Sequence, residues 1–295
     1  MKVFVTGATG FIGSAVVREL LAHGHQVLGL ARSDDGARAV AAAGAEVLQG
    51  VLEDLDMLKQ AVRRVDGVIH TGFNHDFSQF ARNCAVDRDA ILAMGEALNE
   101  TQGPMLVTSG LALLAPGRLA VESDAAHPVS DHYPRASEAS ALALADRGLK
   151  VSTVRLPPSV HGEGEKGFVP ILIANARQKG FAAYPEQDNC WSGVHRLDAA
   201  RAYRLALEKG ASDGPYHVVA DESVPMRSLA EAIGKGLNLP VRAINAEEAE
   251  AYYGWFHHFA TMDMKASSAL TRQKLGWEPK EISLLDDLAT GHYFA

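Results

Sequence analysis

Residues 2–20, KVFVTGATGFIGSAVVREL, decide how the rest of the chain is read. Lys2 to Thr6 is a short apolar run with β-branched Val3, Val5 and Thr6, the composition of a buried strand. Gly7, Gly10 and Gly13 follow at the spacing G-x-x-G-x-x-G, and Phe11, Ile12, Ala15, Val16 and Leu20 then recur at helical intervals. A strand, a glycine-rich turn and a helix in that order make half of a dinucleotide-binding unit. Gly7 allows the tight turn, Gly10 lets the backbone approach a pyrophosphate, and Gly13 lets the helix lie close to the strand. Phe11 and Ile12 open that helix, whose free amides and dipole favour phosphate charge.

The wording TGATGFIG resembles the extended and atypical short-chain dehydrogenase/reductases, and more closely the NAD-dependent epimerase/dehydratase family. Alternating strand and helix patterns over residues 2–155 independently predict an α/β fold, a Rossmann-type doubly wound parallel sheet. A smaller, mostly helical C-terminal substrate lobe is expected to pack over its crevice. The expected division is a dinucleotide-binding core over residues 1–157, to which 194–219 return, and a substrate lobe built from 158–193 and 220–295. Within these, Pro134 to Arg147 reads as a helix, Phe181 to Trp191 as irregular, and Asp198 as the cap of a later helix.

Composition narrows the function. The chain of 295 residues carries a net charge of −8 and no basic stripe, which disfavours nucleic acid as a partner. Mean hydropathy is −0.04, and no stretch approaches the roughly 20 apolar residues of a membrane span. Cys84 and Cys190 have no C-x-x-C partner, so neither a zinc site nor a disulfide framework is indicated, and no metal is expected. Met1 runs directly into the first strand and leaves no room for a signal peptide, so the expected compartment is the cytoplasm.

The second strand, Gln26 to Leu30, ends at Ala31-Arg32-Ser33, where dinucleotide folds select their cofactor. An acidic residue there binds ribose hydroxyls, whereas Arg accepts a 2′-phosphate. Arg32 and Ser33 therefore favour NADP, with NAD the alternative; the competing reading makes Arg32 a solvated cation and Ser33 a helix cap. The resemblance implies an aspartate near the adenine after the third strand. Here Gly50-Val51-Leu52 stands instead, so adenine contact falls to Val51 and Leu52. Thr71, after the fourth strand, and Pro157, after the sixth, occupy positions that line the cofactor in the family.

For the chemistry, the resemblance implies a Ser or Thr after strand five, a Tyr, and a Lys four residues beyond it. Tyr133 fits the tyrosine, but Ser137 stands where the family has Lys. In LVTSG the family's serine position falls on Gly110, beside Thr108 and Ser109, so Ser109 is assigned as the hydroxyl that holds the substrate oxygen. Tyrosine, with a reference pKa of about 10, is assigned as the proton carrier. Arg135 is one of several residues able to compensate for the lysine. His75, His161, Phe168, Trp191 and His195 are the expected substrate contacts, against the blander reading of structural histidines and core aromatics.

The function this supports is an NAD(P)-dependent oxidoreductase of the atypical short-chain type, acting on a small carbonyl or hydroxyl compound. The alternatives are a non-catalytic NADP-binding sensor, or an epimerase or dehydratase. Self-association into a homodimer is left open.

Overall fold

A computed structural model describes residues 1–187 and 189–295. The chain begins with β1 (Lys2–Thr6), α1 (Phe11–Ala22), β2 (Gln26–Ala31), α2 (Asp34–Ala42), β3 (Glu46–Gln49) and α3 (Leu55–Val62). It continues through β4 (Gly67–His70), α4 (Phe80–Thr101), β5 (Met105–Gly110), α5 (Ser137–Asp146) and β6 (Val151–Leu156). Next come β7 (Ser159–His161), α6 (Phe168–Lys179), β8 (Ala182–Pro185), β9 (Cys190–His195), α7 (Arg196–Glu208) and β10 (Tyr216–His217). The last part comprises β11 (Asp221–Pro225), α8 (Met226–Leu237), β12 (Val241–Ile244), α9 (Ala246–Tyr253), α10 (His257–Ala260), α11 (Ala269–Leu275) and α12 (Leu284–Ala289).

Seven strands form one parallel sheet in the order β3-β2-β1-β4-β5-β6-β10. The order reverses between β1 and β4, the point at which such sheets open a ligand crevice beyond their carboxyl ends. Both faces are covered, which is why β1 reads as a continuous apolar run and not as an alternating one. Val3 and Val5 enter a core shared with α1 and α7, and Phe4 enters the opposite core with α3, α4 and α5. Among the described residues no helix is long and apolar enough to cross a membrane.

Three local expectations are corrected. Phe181 to Trp191 contains β8 and the start of β9, because their partners are remote: β8 pairs with β12, and β9 with β7 and β11. The helix after β9 begins at Arg196 with His195 as its cap, its Nδ1 accepting from Leu197 N at 3.3 Å. Asp198 is instead buried inside the first turn and accepts from the amides of Lys280 and Glu281 at 2.8 and 3.0 Å. Finally, α5 starts at Ser137, not Pro134, so Tyr133 and Arg135 lie on the irregular approach to the helix.

That approach ends the long segment after β5, which is pinned from below. Arg155 of β6 is buried and donates to the carbonyls of Glu122 (3.4 Å) and Asp124 (2.9 Å), and to the Glu138 carboxylate. The Glu122 carboxylate in turn accepts from Thr271 N and Oγ1 at 2.7 and 2.8 Å. A buried ion pair of this kind adds little net stability but fixes one arrangement. Here it fixes the backbone that carries Tyr133.

A further apolar cluster joins α6, α8, α9 and α12 with Trp191, Phe256 and Met264. Trp277, beyond α11, belongs to the sheet's core, and its Nε1 donates to Asp198 O at 3.0 Å.

Candidate active site

The glycine turn is shaped by contacts that exclude side chains. Gly7 has φ +67°, and a Cβ on it would lie 2.8 Å from Gly72 N and the Thr71 carbonyl. A Cβ on Gly13 would lie 2.0 Å from Gly7 O. At Gly10 the same atom meets only Gly7 O, at 3.1 Å, and otherwise faces open space. No side chain caps α1, so the amides at Phe11 and Ile12 are left for an anion. These features fit a dinucleotide's pyrophosphate.

Thr71 forms the floor of the turn, its hydroxyl donating to Thr6 O at 2.8 Å, while Gly72 N donates to Thr6 Oγ1 at 3.1 Å. Leu52 reaches the same floor, its Cδ1 being 3.3 Å from where a Gly72 Cβ would sit. Pro157 is buried at the end of β6. At the end of β2, Ser33 does cap α2, accepting from Gly36 N at 3.2 Å. Asp34 is held by Gln49 (2.8 Å) and Asp35 by Arg38. Arg32 is exposed and, among the described residues, has no hydrogen-bond or ion-pair partner.

At the end of β5 two neighbouring hydroxyls differ. Thr108 donates to His70 O and accepts from the Tyr203 hydroxyl, both at 2.7 Å. Ser109 faces the other way, is 8% exposed, and its hydroxyl bonds to nothing among the described residues. Tyr133 is held by its backbone, which exchanges hydrogen bonds with Ser130 at 3.0 Å, and its ring meets the His127 edge at 4.9 Å. Its hydroxyl has no partner among the described residues either. Burial pushes the Tyr133 phenol above its ordinary pKa, opposed by the Arg135 charge.

An aromatic ladder lines the mouth. Phe73 meets His75 and Phe80 at centroid distances of 5.2 and 6.3 Å, and Phe77 meets His75 at 6.2 Å. Across the crevice Phe77 meets Trp255 of the lobe at 5.8 Å, with Trp255 67% exposed. Burial, aided by Arg135, lowers the His75 pKa, so its imidazole is neutral at pH 7. Nothing local in the sequence pairs Trp255 with Phe77, 178 positions apart.

The remaining expected contacts sit among packed side chains. His161 is wholly buried, its Nδ1 paired with Asp287 at 2.8 Å. Trp191 is enclosed in the lobe's core, 6.2 Å from Phe168 and 6.1 Å from Phe256, while Phe168 packs on Phe259 at 4.7 Å. His195 caps α7, and burial holds its pKa down. Neither His161 nor Trp191 faces the crevice, because β7 and β9 turn them into the packing beneath it.

A doubly wound sheet whose switch point carries an uncapped glycine turn fits a bound dinucleotide. The chain belongs to the NAD-dependent epimerase/dehydratase family, whose model matches residues 3–220. It is thus of the NAD(P)-dependent oxidoreductase, epimerase or dehydratase kind. An uncharacterized protein of Schizosaccharomyces pombe is 46% identical over the whole of both chains. A 4-hydroxy-2-methyl-3-oxo-4-farnesyl-3,4-dihydroquinoline-1-oxide ketoreductase of Stigmatella aurantiaca is 28% identical, covering 98% of this chain and 90% of that one. In structure, a dTDP-glucose 4,6-dehydratase from Streptomyces venezuelae with NAD bound matches at TM-score 0.78 and 22% identity, over 100% and 96% of the two chains. That likeness is one of fold.

Proposed function

We propose that the protein is an NADP-dependent oxidoreductase that interconverts a small carbonyl compound and its alcohol. One observation carries this reading: the hydroxyls of Ser109 and Tyr133 take no hydrogen bond among the described residues, whereas those of Thr6, Thr71 and Thr108 around them do. Ser109 is nearly buried and Tyr133 half-buried, so both hydroxyls are read as kept for a ligand. The likeness to a ketoreductase supports the same class of reaction.

In this reading the Gly7-Gly10-Gly13 turn and the start of α1 would hold the pyrophosphate, Arg32 the 2′-phosphate, Leu52 the adenine, and Thr71 and Pro157 the nicotinamide end. The bound nicotinamide supplies or takes up hydride. Ser109 donates a hydrogen bond to the substrate oxygen, and Tyr133 gives that oxygen its proton in reduction or removes it in oxidation. His75 and the aromatic mouth hold the substrate from the outer side.

The second reading, a dinucleotide-binding sensor, is favoured by Ser137 at the family's lysine position. Titration with NADPH and NADH, followed by a panel of carbonyl compounds scored for loss of nicotinamide absorbance, separates the two. Oxidation of NADPH supports the enzyme, and binding without turnover across the panel supports the sensor. NADP(H) should bind more tightly than NAD(H), and Arg32→Ala should weaken NADP(H) about 10-fold or more, the scale of one charge-assisted contact, with little change for NAD(H). Equal affinities of the parent for both would remove Arg32 from the site.

A further inference from the structure

The family pattern supplies a cation four residues after the tyrosine, and this chain has Ser137 there. Ser137 is fully buried, and its hydroxyl donates to Asp87 Oδ2. Asp87 Oδ1 accepts from His70 Nε2 at 3.0 Å, His70 Nδ1 accepts from Thr6 Oγ1 at 2.7 Å, and Thr6 Oγ1 accepts from Gly72 N at 3.1 Å. At the outer end of this line Arg135 Nε donates to Ser137 Oγ at 3.2 Å. The guanidinium lies over the Phe73 ring, its Cζ 4.5 Å from the centroid. Its remaining N–H groups have no partner among the described residues.

We propose that Arg135 is the cation of the reaction site, standing in for the absent lysine beside Tyr133 and positioned there by Ser137 and Asp87. The inference rests on reading the chain as a working oxidoreductase. Three features favour it. Residues 133–136 precede α5, so the helical spacing that would turn Arg135 away from Tyr133 does not apply. A guanidinium stays charged at every working pH, and its planar fork holds one direction once Nε is bound and a face is stacked. The Arg135 charge also acts on every titratable group at this edge whose pKa moves, lowering those of Tyr133, His75, Cys84 and Tyr203 against or with burial. The other groups facing Tyr133 are Glu138 of α5 and Cys84 of α4, which both raise its pKa, and the His127 ring. Arg135 is therefore the group that pulls it toward tyrosinate.

Arg135 acts through Tyr133 and is a positioning residue, so its test needs more than a rate. In cofactor-free protein carrying ¹³Cζ-tyrosine, the Tyr133 resonance, assigned by its loss in Tyr133→Phe, is titrated in the parent, Arg135→Gln and Arg135→Lys. Arg135→Gln should move the Tyr133 titration to higher pH and Arg135→Lys should restore most of it. With NADP+ and an alcohol, Arg135→Gln should lower oxidation about 10-fold or more and carry the rising limb of the pH profile upward by the same amount. Thermal melts and NADPH affinity should stay near the parent's. An unmoved Tyr133 titration overturns the inference, including the case in which only KM rises, which would make Arg135 a grip on the substrate. Should the parent turn over no carbonyl compound, the oxidoreductase reading falls, and the cofactor-free titration still decides Arg135. If Arg135→Gln does not fold, Arg135→Lys is measured alone, and a Tyr133 titration differing from the parent by more than the loss of Nε bonding to Ser137 allows, checked against Ser137→Ala, decides against the inference.

Discussion

Gly10→Val is expected to fold and to lose dinucleotide binding, whereas Gly13→Val is expected not to fold. The two glycines stand three residues apart in one motif, yet their surroundings differ. A Cβ on Gly10 touches only Gly7 O, at 3.1 Å, and the rest of a valine would project into the open space over the turn. That space is where a pyrophosphate meets the amides of α1. Loss of two charge-assisted hydrogen bonds, each worth about 1.5–3 kcal/mol, raises the dissociation constant at least about 100-fold. On Gly13 the Cβ would lie 2.0 Å from Gly7 O and 2.7 Å from Gly7 C. Both are backbone atoms of the tight turn and cannot swing aside, so helix and strand must part. The cost should exceed about 4 kcal/mol, a large share of a typical domain's net stability of about 5–15 kcal/mol. Circular dichroism melts and NADPH titration of both variants check this. Unchanged NADPH affinity in Gly10→Val would reduce the turn to a conformational feature.

What the sequence disclosed, and what it hid, follows the range of the interactions involved. The turn at Gly7, Gly10 and Gly13 was readable because strand, turn and helix are set by neighbours within about 20 residues. The same holds for the Ser33 cap and for the alternation that predicts the parallel sheet. Strand β8 and the start of β9 were not readable, since Ala182 pairs with Val241 and Trp191 with Val224. The site shows the same division. The substitution of the lysine by Ser137 is plain in the sequence, but its meaning is not, because Asp87 and His70 come from α4 and β4. The i,i+2 spacing of Tyr133 and Arg135 would set them on different faces of a helix, but α5 begins only at Ser137. His161 looked like a crevice residue by its place after a strand, and its partner Asp287 lies 126 positions away.

Tyr133→Phe is expected to remove most turnover in both directions, about 10²–10⁴-fold, the range typical of a lost general acid–base group. Its hydroxyl bonds to nothing among the described residues, so the variant should melt near the parent, and the loss would be one of chemistry. The pH dependence of the parent follows from the direction of the Tyr133 shift. Burial raises its pKa, so the phenol is neutral through the physiological range. Reduction, which needs the neutral phenol as acid, should hold its rate to alkaline pH and fall only as tyrosinate forms. Oxidation, which needs tyrosinate as base, should climb over the same interval. A stopped-flow profile in each direction tests both limbs. If Tyr133→Phe retains full turnover, the proton carrier must be sought elsewhere, and the structure narrows the choice. His161 has given its Nδ1 to Asp287, and His195 its Nδ1 to the cap of α7. His75 stands at the mouth, where partial desolvation of its ring and the Arg135 charge both lower its pKa. A His75-dependent enzyme would then lose its base below that lowered pKa, on the acid side of neutrality, and show no alkaline limb. The side of pH 7 on which oxidation falls away therefore tells the two residues apart.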